Sequence, residues 1–255
     1  MELNNAFIDA LLTEHEELPR KGPGSDILAL SIMERIRARL PARPLAADLG
    51  CGNGHSAILL AETLGADVTA VDFAPAFIAE LESRLAAGAP SRGSVTPRVG
   101  DMLEPGLEPG SADLLWSEGA AYTVGLENAL STWHPLLKAG GLLVFSECCW
   151  FKRDGAPEAA VALWDRGYPN MGTVAQTLRL TEEAGYRFLA AEVLPSEAWW
   201  RSYFGPLTER HPRLAAQAAE NPVLAEVIAD AKSEMETFRA CSDYYGYVFF
   251  VLMKA

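Results

Sequence analysis

From residue 44 onward, apolar positions recur in two alternating periods, and that alternation predicts the architecture. Short apolar runs at 45–49, 67–71, 95–99, 112–116 and 142–146 read as strands. Between them, residues 54–64, 75–87 and 126–137 carry apolar positions at helical spacing. The last of these helices is expected to stop at Lys138-Ala139-Gly140-Gly141, where glycine can take a left-handed cap. Strands alternating with helices predict an α/β fold, a mostly parallel sheet with helices on both faces.

Outside that core the pattern changes. Residues 3–18 place Leu3, Phe7, Leu11 and Leu12 on one side of a helix. Pro19-Arg20-Lys21-Gly22-Pro23-Gly24 breaks it, and Ser25 is a candidate N-cap for a second helix running to Leu40, before Pro41. After Cys149 the regularity loosens. Residues 150–170 are rich in aromatic and turn residues, 173–184 read as a helix and 186–194 as a sixth strand. Two helices broken at Asn221-Pro222 fill 199–230, and 244–253 are apolar enough for a strand in a sheet interior. The reading is one domain over 1–255: a helical cap at 1–43, a core at 44–149, and insertions with C-terminal strands at 150–255.

Composition narrows the partners. A chain of 255 residues with 49% hydrophobic and 22% charged residues can bury a core without staples. Its formal net charge of −13 argues against nucleic acid and against an anionic membrane surface. A neutral or cationic small molecule suits that charge better. Cys51, Cys148, Cys149 and Cys241 lack metal spacing, and His15, His55, His134 and His211 show none either, so no metal is expected. Acids in the first twenty residues and the lack of an apolar run of about 18–20 residues point to a reduced, soluble, cytoplasmic protein.

The chemistry concentrates at Asp48-Leu49-Gly50-Cys51-Gly52-Asn53-Gly54-His55, where a strand hands over to a helix. Glycines there let a ligand approach the backbone, and the helix start adds free N–H groups. A dinucleotide site would need G-x-G-x-x-G, but His55 stands at the third glycine position. Asp48, two residues before Gly50, suits the cationic end of a ligand. Asp72, ending the second strand, can accept hydrogen bonds from two ribose hydroxyls.

These residues resemble the class I S-adenosylmethionine-dependent methyltransferases. Residues 48–54 resemble that family's first motif and Asp72 its ribose-binding acid. Gly100-Asp101-Met102 resembles the adenine-contacting stretch, and Leu136-Leu137-Lys138-Ala139-Gly140-Gly141 the turn before the fifth strand, with Ala139 in place of the usual proline. The four motifs span roughly residues 44–147. Arg20–Ser25 and Trp116–Ala120 further resemble a bacterial subgroup near the quinone-pathway and small-amine enzymes. The resemblance implies a Rossmann-like seven-stranded sheet whose last strand runs antiparallel, with S-adenosylmethionine held at Arg20, Asp48, Gly50, Gly52, Gly54, Asp72, Phe73, Asp101, Met102 and Ser117. It implies methyl transfer to the N, O or C atom of a small-molecule acceptor, with a homodimer as a further candidate partner.

For the acceptor, Glu118 and Glu147 follow the fourth and fifth strands, and Tyr122 lies close behind Glu118. Glu118 is the first candidate base, with Tyr122 and Glu147 as helpers; the alternative is that Glu118 caps the helix after it. The aromatic run Trp199-Trp200-Arg201-Ser202-Tyr203-Phe204 reads as a substrate lid or as plain packing. Competing functions are an NAD-dependent oxidoreductase and a non-catalytic S-adenosylmethionine-binding protein.

Overall fold

All seven expected strands form: β1 (Leu45–Leu49), β2 (Asp67–Asp72), β3 (Ser94–Val99), β4 (Ala112–Glu118), β5 (Leu137–Trp150), β6 (Tyr186–Val193) and β7 (Tyr245–Lys254). They make one sheet in the order β3-β2-β1-β4-β5-β7-β6. Strands β1 to β5 pair in parallel, while β7 slots between β5 and β6 antiparallel to both. The computed structural model describes residues 5–255, so Leu3 lies outside the described residues.

The helices are α1 (Asn5–His15), α2 (Asp26–Ile36), α3 (His55–Leu64), α4 (Pro75–Ala87), α5 (Leu126–Trp133), α6 (Glu158–Gly167), α7 (Val174–Glu183), α8 (Ser196–Trp199), α9 (Gly205–Glu220) and α10 (Pro222–Cys241). Local chemistry sets several boundaries. Ser25 caps α2 by accepting the Leu28 N–H, Pro75 opens α4 at a position needing no amide proton, and Thr173 with Gln176 forms a reciprocal cap on α7. No helix among the described residues is long and apolar enough to cross a membrane.

Alternation along the central strands builds two cores. Leu114, Trp116, Val144 and Phe249 face α2, α3 and α10 on one side of the sheet. Leu115, Leu143, Phe145 and Phe250 face α5 on the other, where Leu130 and Trp133 are buried. Both faces are covered, which is why these strands read as nearly continuous apolar runs.

Two expectations need correction, and one open choice is decided. Residues 138–141 do not cap α5; the helix ends at Trp133, a tight turn covers His134–Leu136, and β5 begins at Leu137. The β4–β5 pairing jumps from Ala112↔Leu137 to Leu114↔Leu142, so residues 138–141 bulge against Asp113, with Gly140 at φ 72°. Lys138 Nζ fastens the bulge to Asp113 Oδ1 at 2.8 Å. Second, the stretch 150–170 contains α6. Of the two readings of Trp199–Phe204, the packing one holds at its ends: Trp199 and Phe204 are buried, and the Trp199 ring stacks on Phe238 at 4.2 Å. A widened turn over Trp200–Phe204 lets this dense aromatic segment pack inward.

Candidate functional site

The turn after β1 needs its glycines for reasons the structure separates. Gly50, Gly52 and Gly54 have φ of 74°, 52° and 72°, all left-handed. A side chain at Gly50 would strike Ala120, and one at Gly54 would strike Leu81 of α4. The Gly50 and Cys51 amides donate to Val71 O at 2.9 and 3.0 Å, locking the turn to the end of β2.

Two buried acids face this turn. Asp72 accepts the Gly52 N–H at 2.8 Å on one oxygen and the Ala74 N–H at 2.9 Å on the other. Each oxygen keeps a lone pair. Burial pushes its pKa up, with the two amides and Lys21 opposing. Asp48 is 1% exposed and its Oδ2 has no hydrogen-bond partner among the described residues. Burial drives its pKa well up, and the negative charges of Glu118 and Asp72 add to that. An unpaired buried carboxylate oxygen calls for a donor from outside the chain.

Glu118 ends β4 on the same side of the sheet, but its carboxylate is already engaged. Oε1 accepts from Ser56 Oγ at 2.7 Å and from the Trp116 indole at 2.8 Å, while Oε2 accepts from Arg20 Nη1 at 3.1 Å. This corrects the reading of Glu118 as a free base or helix cap: it anchors Arg20. Arg20 is itself buried and also reaches Asp26 at 2.6 Å, which accepts from His55 Nε2 at 2.9 Å.

Through these contacts the segment 18–26 lies as a strap across the glycine turn. Asn53 donates to Leu18 O at 2.9 Å, Lys21 Nζ donates to Glu80 at 2.6 Å, and the Gly24 N–H donates to Ser202 Oγ at 3.1 Å. The Lys21 stem crosses Gly52, where a Cβ would come within 2.9 Å of it. Ser56, Asn53, Lys21 and Glu80 escaped the sequence reading because their partners are far away in the chain; the Ser56–Glu118 pair spans 62 residues.

The other expected cofactor residues divide. Met102 is buried with its side chain beside Gly50, and its carbonyl accepts the Trp133 indole N–H at 2.9 Å. Phe73 is 58% exposed next to Asp72, and Asp101 is exposed at the end of β3, accepting the Leu103 N–H at 2.8 Å. Ser117 departs from its expected role: it is fully buried and its hydroxyl donates to Leu49 O at 2.8 Å, tying β4 to β1.

A second cluster gathers across the sheet, around β5. Glu147 is 1% exposed, and neither carboxylate oxygen has a hydrogen-bond partner among the described residues. Burial pushes its pKa up to about 8, with the Tyr168 hydroxyl and the Cys148 N–H acting in the opposite sense. The Tyr122 ring lies 5.4 Å from that of Tyr168, so two of the three expected acceptor-side residues meet here without Glu118. Tyr168 was legible only as part of an aromatic-rich stretch.

The chain is similar to known methyltransferases. Residues 46–141 match the family model described as a methyltransferase domain. Over 115 residues the chain is 30% identical to geranyl diphosphate 2-C-methyltransferase of Streptomyces lasalocidi; the match covers 45% of this chain and 38% of that relative's length. Among solved structures, a SAM-dependent methyltransferase from Geobacter sulfurreducens in complex with S-adenosyl-L-homocysteine superposes with a TM-score of 0.79 at 18% identity, covering 97% of this chain and 98% of that one. YjhP from E. coli gives a TM-score of 0.80 at 19% identity, covering 96% and 99%.

Proposed function

We infer that this chain, whose residues 46–141 match the methyltransferase-domain family, is a class I S-adenosylmethionine-dependent methyltransferase that transfers a methyl group to a small-molecule acceptor. The observation that carries this reading is the left-handed glycine turn set between Asp72 and the unpaired Asp48 oxygen. When bound, S-adenosylmethionine supplies an electrophilic methyl carbon on a sulfonium leaving group. Asp48 fits the ammonium end of that cofactor, because its partnerless oxygen can accept an N–H. Asp72 fits the ribose, because each oxygen retains a lone pair after accepting one backbone amide. Met102 and Phe73 offer apolar surface for the adenine, with Asp101 at its edge. Arg20, held by Glu118 and Asp26, is a guanidinium poised for the cofactor carboxylate.

On the acceptor side the reading gives Glu147 the role of base. A carboxyl with pKa near 8 is matched to proton transfer at neutral pH. Glu118, which accepts from Ser56, Trp116 and Arg20, positions Arg20 instead. The acceptor itself needs mainly alignment, since the donor methyl is already activated.

The test is a screen of small metabolites with the purified protein and S-adenosylmethionine, following S-adenosylhomocysteine release. Acceptor-dependent release, lost in Glu147→Gln, is the expected result. Cofactor binding with no release for any acceptor would favour the non-catalytic binding protein.

A further inference from the structure

Two points on either side of Arg20 are fastened to one short stretch of the C-terminal half. After it, the Gly24 N–H donates to Ser202 Oγ at 3.1 Å, and the Ser202 hydroxyl in turn donates to Ala198 O at 2.7 Å. Before it, His15 Nε2 lies 2.8 Å from the Tyr203 hydroxyl. His15 Nδ1 sits 2.8 Å from Leu11 O, which can only accept, so Nδ1 carries the proton. Burial lowers the His15 pKa, which keeps the ring neutral and leaves Nε2 to accept from Tyr203.

The two fastenings are neighbours on the widened turn Trp200–Phe204, which the Gly205 N–H closes on Trp200 O. Glycine permits that closure, because a Cβ at 205 would lie 2.7 Å from the same oxygen. Trp199 and Phe204, on either side, are buried in the core, so Ser202 and Tyr203 stand on a close-packed base. Wide turns of this kind recur at functional sites.

Between the fastenings, Arg20 packs directly on Gly24. A Cβ at Gly24 would come within 2.6 Å of Arg20 Nη1 and 3.1 Å of Glu118 Oε2, so a shift of Gly24 disturbs the ion pair between those two groups. Of the five guanidinium N–H donors, one goes to Glu118 and one to Asp26, leaving donors for a ligand. We propose that Ser202 and Tyr203 are positioning residues for cofactor binding: they latch the strap on both sides of Arg20 and fix its guanidinium before the ligand arrives. Pre-organisation of this kind raises affinity by removing the cost of ordering the strap on binding. The proposal rests on the reading of Arg20 as the partner of the cofactor carboxylate.

The experiment is calorimetric titration of the full-length protein with S-adenosylhomocysteine and, separately, with 5′-methylthioadenosine. The second ligand keeps the adenosine and the sulfur but lacks the amino-acid end, so it reports whether the rest of the pocket is intact. Ser202→Ala is expected to weaken S-adenosylhomocysteine roughly three- to tenfold, the worth of one hydrogen bond, and 5′-methylthioadenosine by less than about twofold. Tyr203→Phe is expected to do the same, giving a second variant should the first fail to fold. Ser202→Thr, which keeps the hydroxyl, is expected to restore affinity. In an Arg20→Gln background, Ser202→Ala is expected to change S-adenosylhomocysteine affinity by less than about twofold, since both act through one guanidinium. Equal weakening of both ligands, full additivity with Arg20→Gln, or unchanged S-adenosylhomocysteine affinity in both latch variants overturns the proposal and leaves the cofactor reading in place. An Arg20→Gln protein that binds S-adenosylhomocysteine as tightly as the parent overturns the reading of Arg20 and this proposal with it.

Discussion

Glu147→Gln replaces a buried carboxyl that must ionise with an amide of the same shape that never does. The ordinary pKa of such a group is 4.5, and burial holds it near 8 in the folded chain. Between those values the folded state binds more protons than the unfolded one, so stability falls as pH rises from about 4.5 to about 8. The contribution is fully present below 4.5 and fully lost above 8. At about 1.36 kcal/mol per pH unit, that interval caps the loss at roughly 5 kcal/mol. The variant should therefore match the parent within about 1 kcal/mol at pH 4.5 and exceed it by roughly 2–5 kcal/mol at pH 8.5. Urea unfolding across that range measures the difference. Turnover should fall roughly 10²–10⁴-fold, as for loss of a positioned base. Parallel stability curves for the two proteins would mean that Glu147 ionises as freely as an exposed acid, and the reasoning would fail.

Asp72→Ala should lower S-adenosylhomocysteine affinity at least tenfold by calorimetry, because each charge-assisted hydrogen bond is worth roughly 1.5–3 kcal/mol; unchanged affinity would assign the ribose to another residue. Gly54→Ala should destabilise by roughly 2–4 kcal/mol in urea unfolding, since a Cβ there meets both a left-handed backbone and the Leu81 side chain. A neutral effect would mean that α4 shifts freely against the turn. Glu118→Gln should cost about 1–3 kcal/mol of stability by freeing the buried Arg20 charge, with turnover at saturating cofactor within a few-fold of the parent. A large rate loss at unchanged stability would return Glu118 to the role of base.

Much of this fold was legible because its signals are local. The boundaries of α4 follow from Pro75 and helical spacing, and the cap on α7 from Thr173 with Gln176 three residues on. The inserted β7 showed as an apolar run long enough for a sheet interior. Where contacts are remote, the sequence misled. The paired glycines at 140–141 carry the same chemistry in a helix cap and in a bulge, and only pairing with β4 distinguishes them. Glu118 and Glu147 occupy equivalent strand ends, yet one meets Arg20, Ser56 and Trp116 while the other meets no hydrogen bond, because they face opposite sides of the sheet.

The central claim is that the glycine turn with Asp48 and Asp72 holds S-adenosylmethionine and not a dinucleotide. Titrating the protein calorimetrically with S-adenosylhomocysteine and, separately, with NAD tests it most directly. One site for S-adenosylhomocysteine and no measurable heat from NAD is the expected result; binding of NAD without S-adenosylhomocysteine would contradict the account.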